Sequence, residues 1–417
     1  MLAVVHAHRY VGTLRPNHEG IEFVYAPQWL RLTDAFPLSP RLALREEPWS
    51  GAEVLFFFAN LLPEGRILDA LAKLRRLPSG NVYRLLEAFG LECAGAFEIV
   101  PAGQENLSPA HEPVYKEYTQ RQLKADLAKA RDNIPLLARH ADLRLSLAGA
   151  QNKIPLRYAD NKLWLPTGDA PSTHILKPAL QPEKLFPHAV ANEAFCLHLA
   201  SAIGINAPAA TVLTDPEPIL LVERYDRVEK DGRVERLHQL DFCQLAGVLP
   251  ENKYEPDGGP GFNTCFDQVD TYSAPPAADR LQLVDRVIFN YLIGNADAHA
   301  KNLSMLYQAN GSLRLAPAYD LLATGYWPDL SKKMAMAIGS EKRPAWVQAR
   351  HWQRFCESLG LNPTQLRKRA LELCTKALVK KDDITAELPI PERLAQHFSR
   401  TLEHNGKLIE KRLGLSE

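Results

Sequence analysis

Apolar residues open the chain in short runs. Leu2 to Ala7 and Ile21 to Tyr25 are strand-like, with the turn residues Arg15-Pro16-Asn17 and Glu19-Gly20 between them. Three helical segments follow, at about Ala52–Leu61, Arg66–Arg76 and Val82–Phe89, punctuated by Pro63, Pro78-Ser79-Gly80 and Gly90. Pro101 to Pro113 carries three prolines and few apolar residues and reads as a linker. Beyond a helical stretch near Gln120–Arg139, strands are predicted at Ile154–Tyr158, Lys162–Leu165, His174–Leu176 and Ile219–Glu223. One helix interrupts them at about Ala189–Ile203, where Val190, Ala194 and Leu197 recur at helical spacing and Gly204 marks the stop. From Asp241 onward the pattern is mainly helical. Tyr254–Phe262, which contains Asp257-Gly258-Gly259-Pro260-Gly261, is expected to be a surface loop. No internal repeat is visible. The pattern predicts an α+β protein with an N-terminal unit (1–105), a strand-rich lobe (106–225) and a mainly helical lobe (226–417), the two lobes facing each other across a cleft.

The stretch from Asp279 to Leu322 is the most informative. Leu283, Val284, Val287, Ile288, Tyr291 and Leu292 share one helical face, and Gly294 ends that helix. Asn295-Ala296-Asp297-Ala298-His299-Ala300-Lys301-Asn302 is too polar for a core. Strands at Leu303–Tyr307 and Ser312–Ala316 are joined across Gln308-Ala309-Asn310-Gly311, and Asn-Gly is a strong hairpin signal. The second strand leads into Tyr319-Asp320-Leu321. Kinase-type phosphoryl transfer needs this order. An aspartate must reach the attacking hydroxyl, to orient it and accept its proton. An asparagine oxygen and a second carboxylate must share the magnesium that bridges the nucleotide phosphates. Asp297 is therefore expected to be the catalytic base, with Asn302 and Asp320 as metal ligands. His299 would brace the loop or touch phosphate. Lys301 would either neutralise charge on the transferring phosphoryl group or be solvated.

Upstream, small residues in Ser146-Leu147-Ala148-Gly149-Ala150-Gln151-Asn152-Lys153 would let backbone N–H groups approach phosphate oxygens closely. Ala148, Gly149, Ala150, Gln151 and Lys153 are the phosphate-loop candidates, although no Walker A pattern is present. Lys177 ends a strand-like run, the position from which a kinase lysine reaches the α- and β-phosphates. Glu193 on the following helix would pair with it or lie exposed. Glu223 and Tyr225 stand where the chain crosses between lobes and offers backbone groups to adenine, or else mark a surface strand end.

Composition narrows the classes. Of the 417 residues, 49 are Lys or Arg and 49 are Asp or Glu, a formal net charge of zero. That balance argues against unaided DNA binding, which usually needs a basic excess. A 46% hydrophobic and 24% charged composition excludes wholesale disorder. The longest apolar stretch, Val54 to Ala59 with Leu61-Leu62, is too short for a bilayer, and no signal peptide precedes it. Six scattered cysteines without a CxxC pair fit reduced thiols, and a cytoplasmic location is expected. HExxH, GxSxG and GxGxxG patterns are absent.

The chain resembles the HipA family, the serine/threonine kinase toxins of bacterial toxin–antitoxin modules. The N-terminal unit carries the resemblance in Asn60-Leu61-Leu62-Pro63-Glu64-Gly65 and Glu92-Cys93-Ala94-Gly95-Ala96. The rest carries it in Ser146 to Gln151, His174-Ile175-Leu176-Lys177-Pro178, Asn192-Glu193, Glu223-Arg224-Tyr225-Asp226-Arg227, Gly294 to Asn302 and Tyr319-Asp320-Leu321, in that order. The resemblance implies a two-lobed protein-kinase-like fold that uses ATP and Mg2+. It also implies autophosphorylation at Ser146, which would expel the phosphate loop and inactivate the kinase. The implied substrate is an aminoacyl-tRNA synthetase. The implied partner is a small helix-turn-helix antitoxin (HipB-like), through which alone the protein would meet DNA. Asn295-Ala296-Asp297 replaces the His-Arg-Asp of eukaryotic kinases and Asp320-Leu321-Leu322 their Asp-Phe-Gly, departures shared with the HipA pattern. Two competing readings are a small-molecule or lipid kinase and a pseudokinase acting as a scaffold or corepressor.

Overall fold

The computed structural model describes residues 1–18, 20–108, 112–132, 134–140, 148–308 and 310–413. Strands β1 (Leu2–His6), β2 (Arg9–Asn17), β3 (Gly20–Tyr25), β4 (Trp49–Ser50) and β5 (Glu98–Pro101) form an antiparallel sheet in the order β4-β3-β2-β1-β5. Helices Ala52–Ala59, Gly65–Leu74 and Val82–Phe89 follow β4, as the periodicity predicts. The expected turn at Arg15-Pro16-Asn17 is instead the end of β2. Pro16 faces Ile21 and Asn17 faces Gly20 across the hairpin, at the strand end where a proline is tolerated.

A second antiparallel sheet contains β6 (Val114–Glu117), β7 (Ile154–Ala159), β8 (Lys162–Thr167), β9 (His174–Lys177), β10 (Ala210–Leu213) and β11 (Ile219–Glu223), ordered β10-β11-β9-β7-β8-β6. The helical stretch expected near Gln120–Arg139 comprises two helices, Gln120–Arg131 and Leu136–Arg139. Pro135, the N-cap of the second, cannot continue the first. Helix Ala189–Ala202 lies between this sheet and the helical lobe and is buried on nearly every side. Phe195 on it stacks on Phe398 with ring centroids 3.7 Å apart. That burial turns Glu193 inward, 1% exposed, and removes the surface alternative.

A hairpin of β12 (Arg227–Lys230) and β13 (Arg233–Arg236) leads to the remainder of the chain. There, β14 (Gln239–Asp241), β15 (Ser304–Tyr307) and β16 (Leu313–Leu315) form a small sheet among helices Phe262–Tyr272, Pro276–Ile293, Ala349–Leu359, Pro363–Glu387 and Glu392–Leu413. The expected apolar face of Pro276–Ile293 is buried. Gly294 closes that helix in the left-handed region (φ 69°), its N–H directed at the carbonyls of Asn290 and Tyr291. The Asn310-Gly311 hairpin forms with Tyr307 opposite Leu313. Buried side chains from all three regions, among them Leu2, Phe23, Ile154, Leu176, Val287 and Leu402, belong to one contiguous core. Among the described residues no helix is long and apolar enough to cross a membrane.

Candidate active site

The chain after Gly294 is set by main-chain bonds. Asn295 N–H donates to Asn290 O at 2.9 Å, and Asn295 Oδ1 accepts the N–H of Asp297 at 3.0 Å. His299 N–H donates to Asp297 O, and Asn302 N–H to His299 O, closing a tight loop that ends in the 3-10 turn Ala300–Asn302. Asn302 Nδ2 donates to Asp297 O at 3.0 Å, so its side-chain oxygen is left without a hydrogen bond among the described residues. The hairpin then brings Asp320 back. This residue adopts φ 56°, a left-handed conformation costing a non-glycine residue about 1–2 kcal/mol. Lys177 Nζ holds it there, donating to Asp320 Oδ1 at 2.7 Å and to Glu193 Oε1 at 2.6 Å.

These groups line one cavity of about 470 Å3. Its walls include every described candidate: Ala148, Gly149, Ala150, Gln151 and Lys153 from the phosphate loop, then Lys177, Glu223 and Tyr225, then Asp297, His299, Lys301, Asn302 and Asp320. Ser146 lies outside the described residues. Glu223, exposed at the end of β11, and Tyr225, stacked on Tyr319 with centroids 5.6 Å apart, mark the crossing between the lobes.

The electrostatics suit a polyanion. Burial alone would lower the Lys177 ammonium, but the Asp320 and Glu193 carboxylates hold it well above its usual range. Against its own burial, Asp320 is held well below the carboxylate range by Lys177 and Lys153. Lys153 has no hydrogen bond or ion pair among the described residues. Burial pushes its pKa down to about 8, with Asp320 opposing and Lys177 assisting. Gly149 leaves it room, since a Cβ there would lie 2.7 Å from Lys153 Nζ. An under-solvated ammonium beside a loop that a side chain would fill fits a nucleotide phosphate. Asp320 and Asn302 supply hard oxygens, and magnesium on a nucleotide needs only one or two such protein ligands. Asp297 opens onto the cavity, and confinement there raises its carboxyl above the ordinary value, against the lowering effect of a hydrogen bond from Tyr254.

Two candidates take a form their spacing did not show. Lys301 is neither solvated nor free to follow a phosphoryl group. Its ammonium donates to Asn60 O (3.0 Å), Asn60 Oδ1 (2.9 Å) and Asp241 Oδ2 (2.5 Å), which engages all three protons and fastens the loop to the N-terminal unit. His299 is buried. Burial together with Lys253 and Lys301 pushes its pKa down to about 3, so it meets the cavity as a neutral ring.

Residues that sequence reasoning left without a role also reach the site. Glu64 N–H donates to Gly149 O at 3.1 Å, so the phosphate loop rests on the Pro63-Glu64 turn. The Glu92–Ala96 and Glu223–Arg227 motifs interlock. Glu92 accepts from Arg224, Arg227 and Arg236 at 2.7–3.0 Å and from Ser172 Oγ at 2.6 Å. Asp226 pairs with Arg224 and takes the N–H of Gly95 at 2.8 Å. All but Arg236 of this ionic group lie under 10% exposed, so the crossing segment from Arg224 to Arg227 is bolted to the N-terminal unit, while Glu223 ends its strand at the surface.

Residues 145–380 match the model of the HipA-like C-terminal domain and residues 2–100 that of the HipA N-terminal domain. The chain is 40% identical over 410 residues to the protein Y4mE of Sinorhizobium fredii, covering 96% of each. It is 32% identical to the serine/threonine-protein kinase toxin HipA of Shewanella oneidensis, over 81% of this chain and 78% of that one. Among solved structures, the Shewanella oneidensis MR-1 toxin–antitoxin complex of HipA, HipB and operator DNA superposes with a TM-score of 0.84 at 27% identity, covering 100% of this chain and 98% of that one.

Proposed function

The chain belongs to the HipA family of serine/threonine kinase toxins, and from that premise we propose that it transfers the γ-phosphoryl group of ATP, with Mg2+, to a serine or threonine of a protein that serves translation. The observation that carries this reading is the Lys177–Glu193–Asp320 ion-paired group in the same cavity as Asp297 and Asn302. In the proposed reaction Lys177 and Lys153 hold the phosphates, and the loop from Ala148 to Gln151 presents backbone N–H groups to them. Glu223 and Tyr225 flank the adenine. Asp320 and Asn302 would hold a magnesium ion, which would supply positive charge against the negative charge that develops during transfer. Asp297 orients the acceptor hydroxyl and takes its proton.

The acceptor class we favour is an aminoacyl-tRNA synthetase, with Ser146 as a second, internal acceptor. Two negative charges on Ser146 would repel nucleotide phosphates and spoil the loop beside Gly149. The net charge of zero fits a division of labour in which a small helix-turn-helix antitoxin meets DNA and this chain does not. The cytoplasm is the compartment that such a substrate and partner require.

Incubation with γ-labelled ATP, Mg2+ and a cell lysate tests the reading. Label should appear on protein serine or threonine. Label confined to metabolites would show a small-molecule kinase, and absence of any transfer would show a scaffold.

A further inference from the structure

Tyr254 lies in the segment read from sequence as a surface loop, yet its hydroxyl donates to Asp297 Oδ1 at 2.7 Å. Its ring also packs edge-on against His299, with centroids 5.0 Å apart and planes at 85°. The residues on either side are pinned. Lys253 Nζ donates to Glu64 Oε2 at 2.7 Å and stands 5.6 Å from the centroid of the Tyr254 ring. Glu255 Oε2 accepts the N–H of Ala337 at 2.9 Å and pairs with Lys342. Gly259 N–H and Asp257 N–H both donate to Tyr254 O, folding the segment onto itself. A Cβ on Gly259 would lie 2.1 Å from Asn252 O, so the turn is closely packed.

The side chains of Asn295 and Asn302 bond the main chain of Asp297 and fix its backbone, but they leave its carboxylate free to turn. That torsion is broad and roughly two-fold in aspartate, so the backbone alone does not fix it. Among the described residues, the Tyr254 hydroxyl is the group that hydrogen-bonds the carboxylate. We propose that Tyr254 is a positioning residue for phosphoryl transfer: it holds Oδ1 of Asp297 so that Oδ2 faces the acceptor hydroxyl. Through Lys253 and Glu64, whose own N–H bonds Gly149, the same segment ties the base to the phosphate loop. The N-terminal unit thereby sets the distance between the two reacting partners. The proposal rests on Asp297 as the base.

An alternative reading of the same bond makes Tyr254 a stand-in for the acceptor, to be displaced by substrate. The anchors on Lys253 and Glu255 oppose that displacement. The two readings predict opposite signs. For a positioning residue, Tyr254→Phe should lower kcat by about 10–100-fold, since misplacement of a catalytic group by about 1 Å costs on that order. KM for ATP and the melting temperature should stay at wild-type values, because the ring and its packing on His299 remain. In an Asp297→Asn background, Tyr254→Phe should lower the residual rate no further, as expected of groups acting as one unit. Unchanged or raised kcat in Tyr254→Phe would overturn the proposal, as would a further loss in the double variant. Wild-type turnover by Asp297→Asn alone would bring down the assignment of the base, and this proposal with it. Loss in Asp297→Asn without loss in Tyr254→Phe would remove only the role of Tyr254.

Discussion

Asp297→Asn should lower the rate of phosphate transfer from ATP to protein by about 10²–10⁴-fold, the usual contribution of a positioned general base. Asparagine keeps the shape of the side chain and an oxygen for the Tyr254 hydroxyl, and the bonds from Asn295 and Asn302 go to main-chain atoms of residue 297. What disappears is the capacity to take a proton. The amide would present either a donor to a donor or an oxygen of negligible basicity. Lys177, Lys153, Asn302 and Asp320 are untouched, so nucleotide affinity and folding should change little. Initial rates of label incorporation, measured beside the dissociation constant of a non-hydrolysable ATP analogue, check this. A variant transferring phosphate at the wild-type rate would show that the proton goes elsewhere.

The largest effect on stability is expected at Glu92. Its carboxylate is 1% exposed and meets three arginines and the hydroxyl of Ser172. Burial would raise its pKa, but the charges of Arg236, Arg227 and Arg224 hold it far below the ordinary range. A depressed carboxyl pKa contributes stability that is complete above the unfolded value, roughly 4.3, and is lost as the pH falls toward the folded value. At neutral pH the contribution is therefore fully present. Glu92→Ala leaves guanidinium groups buried with too few negative partners, and breaking such a pair costs about 3–5 kcal/mol. Removing the exposed Asp34 partner of Arg9 should cost less than about 1 kcal/mol. Urea midpoints of the two variants against wild type measure the contrast. Equal midpoints for all three would show that the interlock contributes nothing net.

Both effects concern residues whose partners are distant in sequence, which explains what could be read in advance. Gly294 and the Asn310-Gly311 turn act through local backbone preference. They make the positions of Asp297 and Asp320 legible in the sequence, because a cap and a hairpin need only their own few residues. The Asp-x4-Asn spacing carried similar local information. Local sequence does not decide the role of Lys301, because its acceptor Asn60 is 241 positions away. Glu92 and Arg224 lie in separate motifs 132 positions apart, and nothing local in the sequence joins them. Tyr254 had no signal, since a tyrosine among glycines and prolines has the composition of any exposed loop. Strand β2 was missed for a different reason: Arg15-Pro16-Asn17 has turn composition, yet it pairs with β3 through its last residue.

The most direct check on the site is a crystal of the protein with a non-hydrolysable ATP analogue and Mn2+, examined for anomalous scattering. The ion should lie within about 2.2 Å of oxygens from both Asp320 and Asn302, near the octahedral contact distance of a small divalent cation. Lys177 should turn from Asp320 toward the phosphates, and Asp297 should lie beside the terminal phosphoryl group. An anomalous peak remote from Asp320 and Asn302, with the nucleotide bound outside the cavity lined by Lys153 and Lys177, would contradict the assignment.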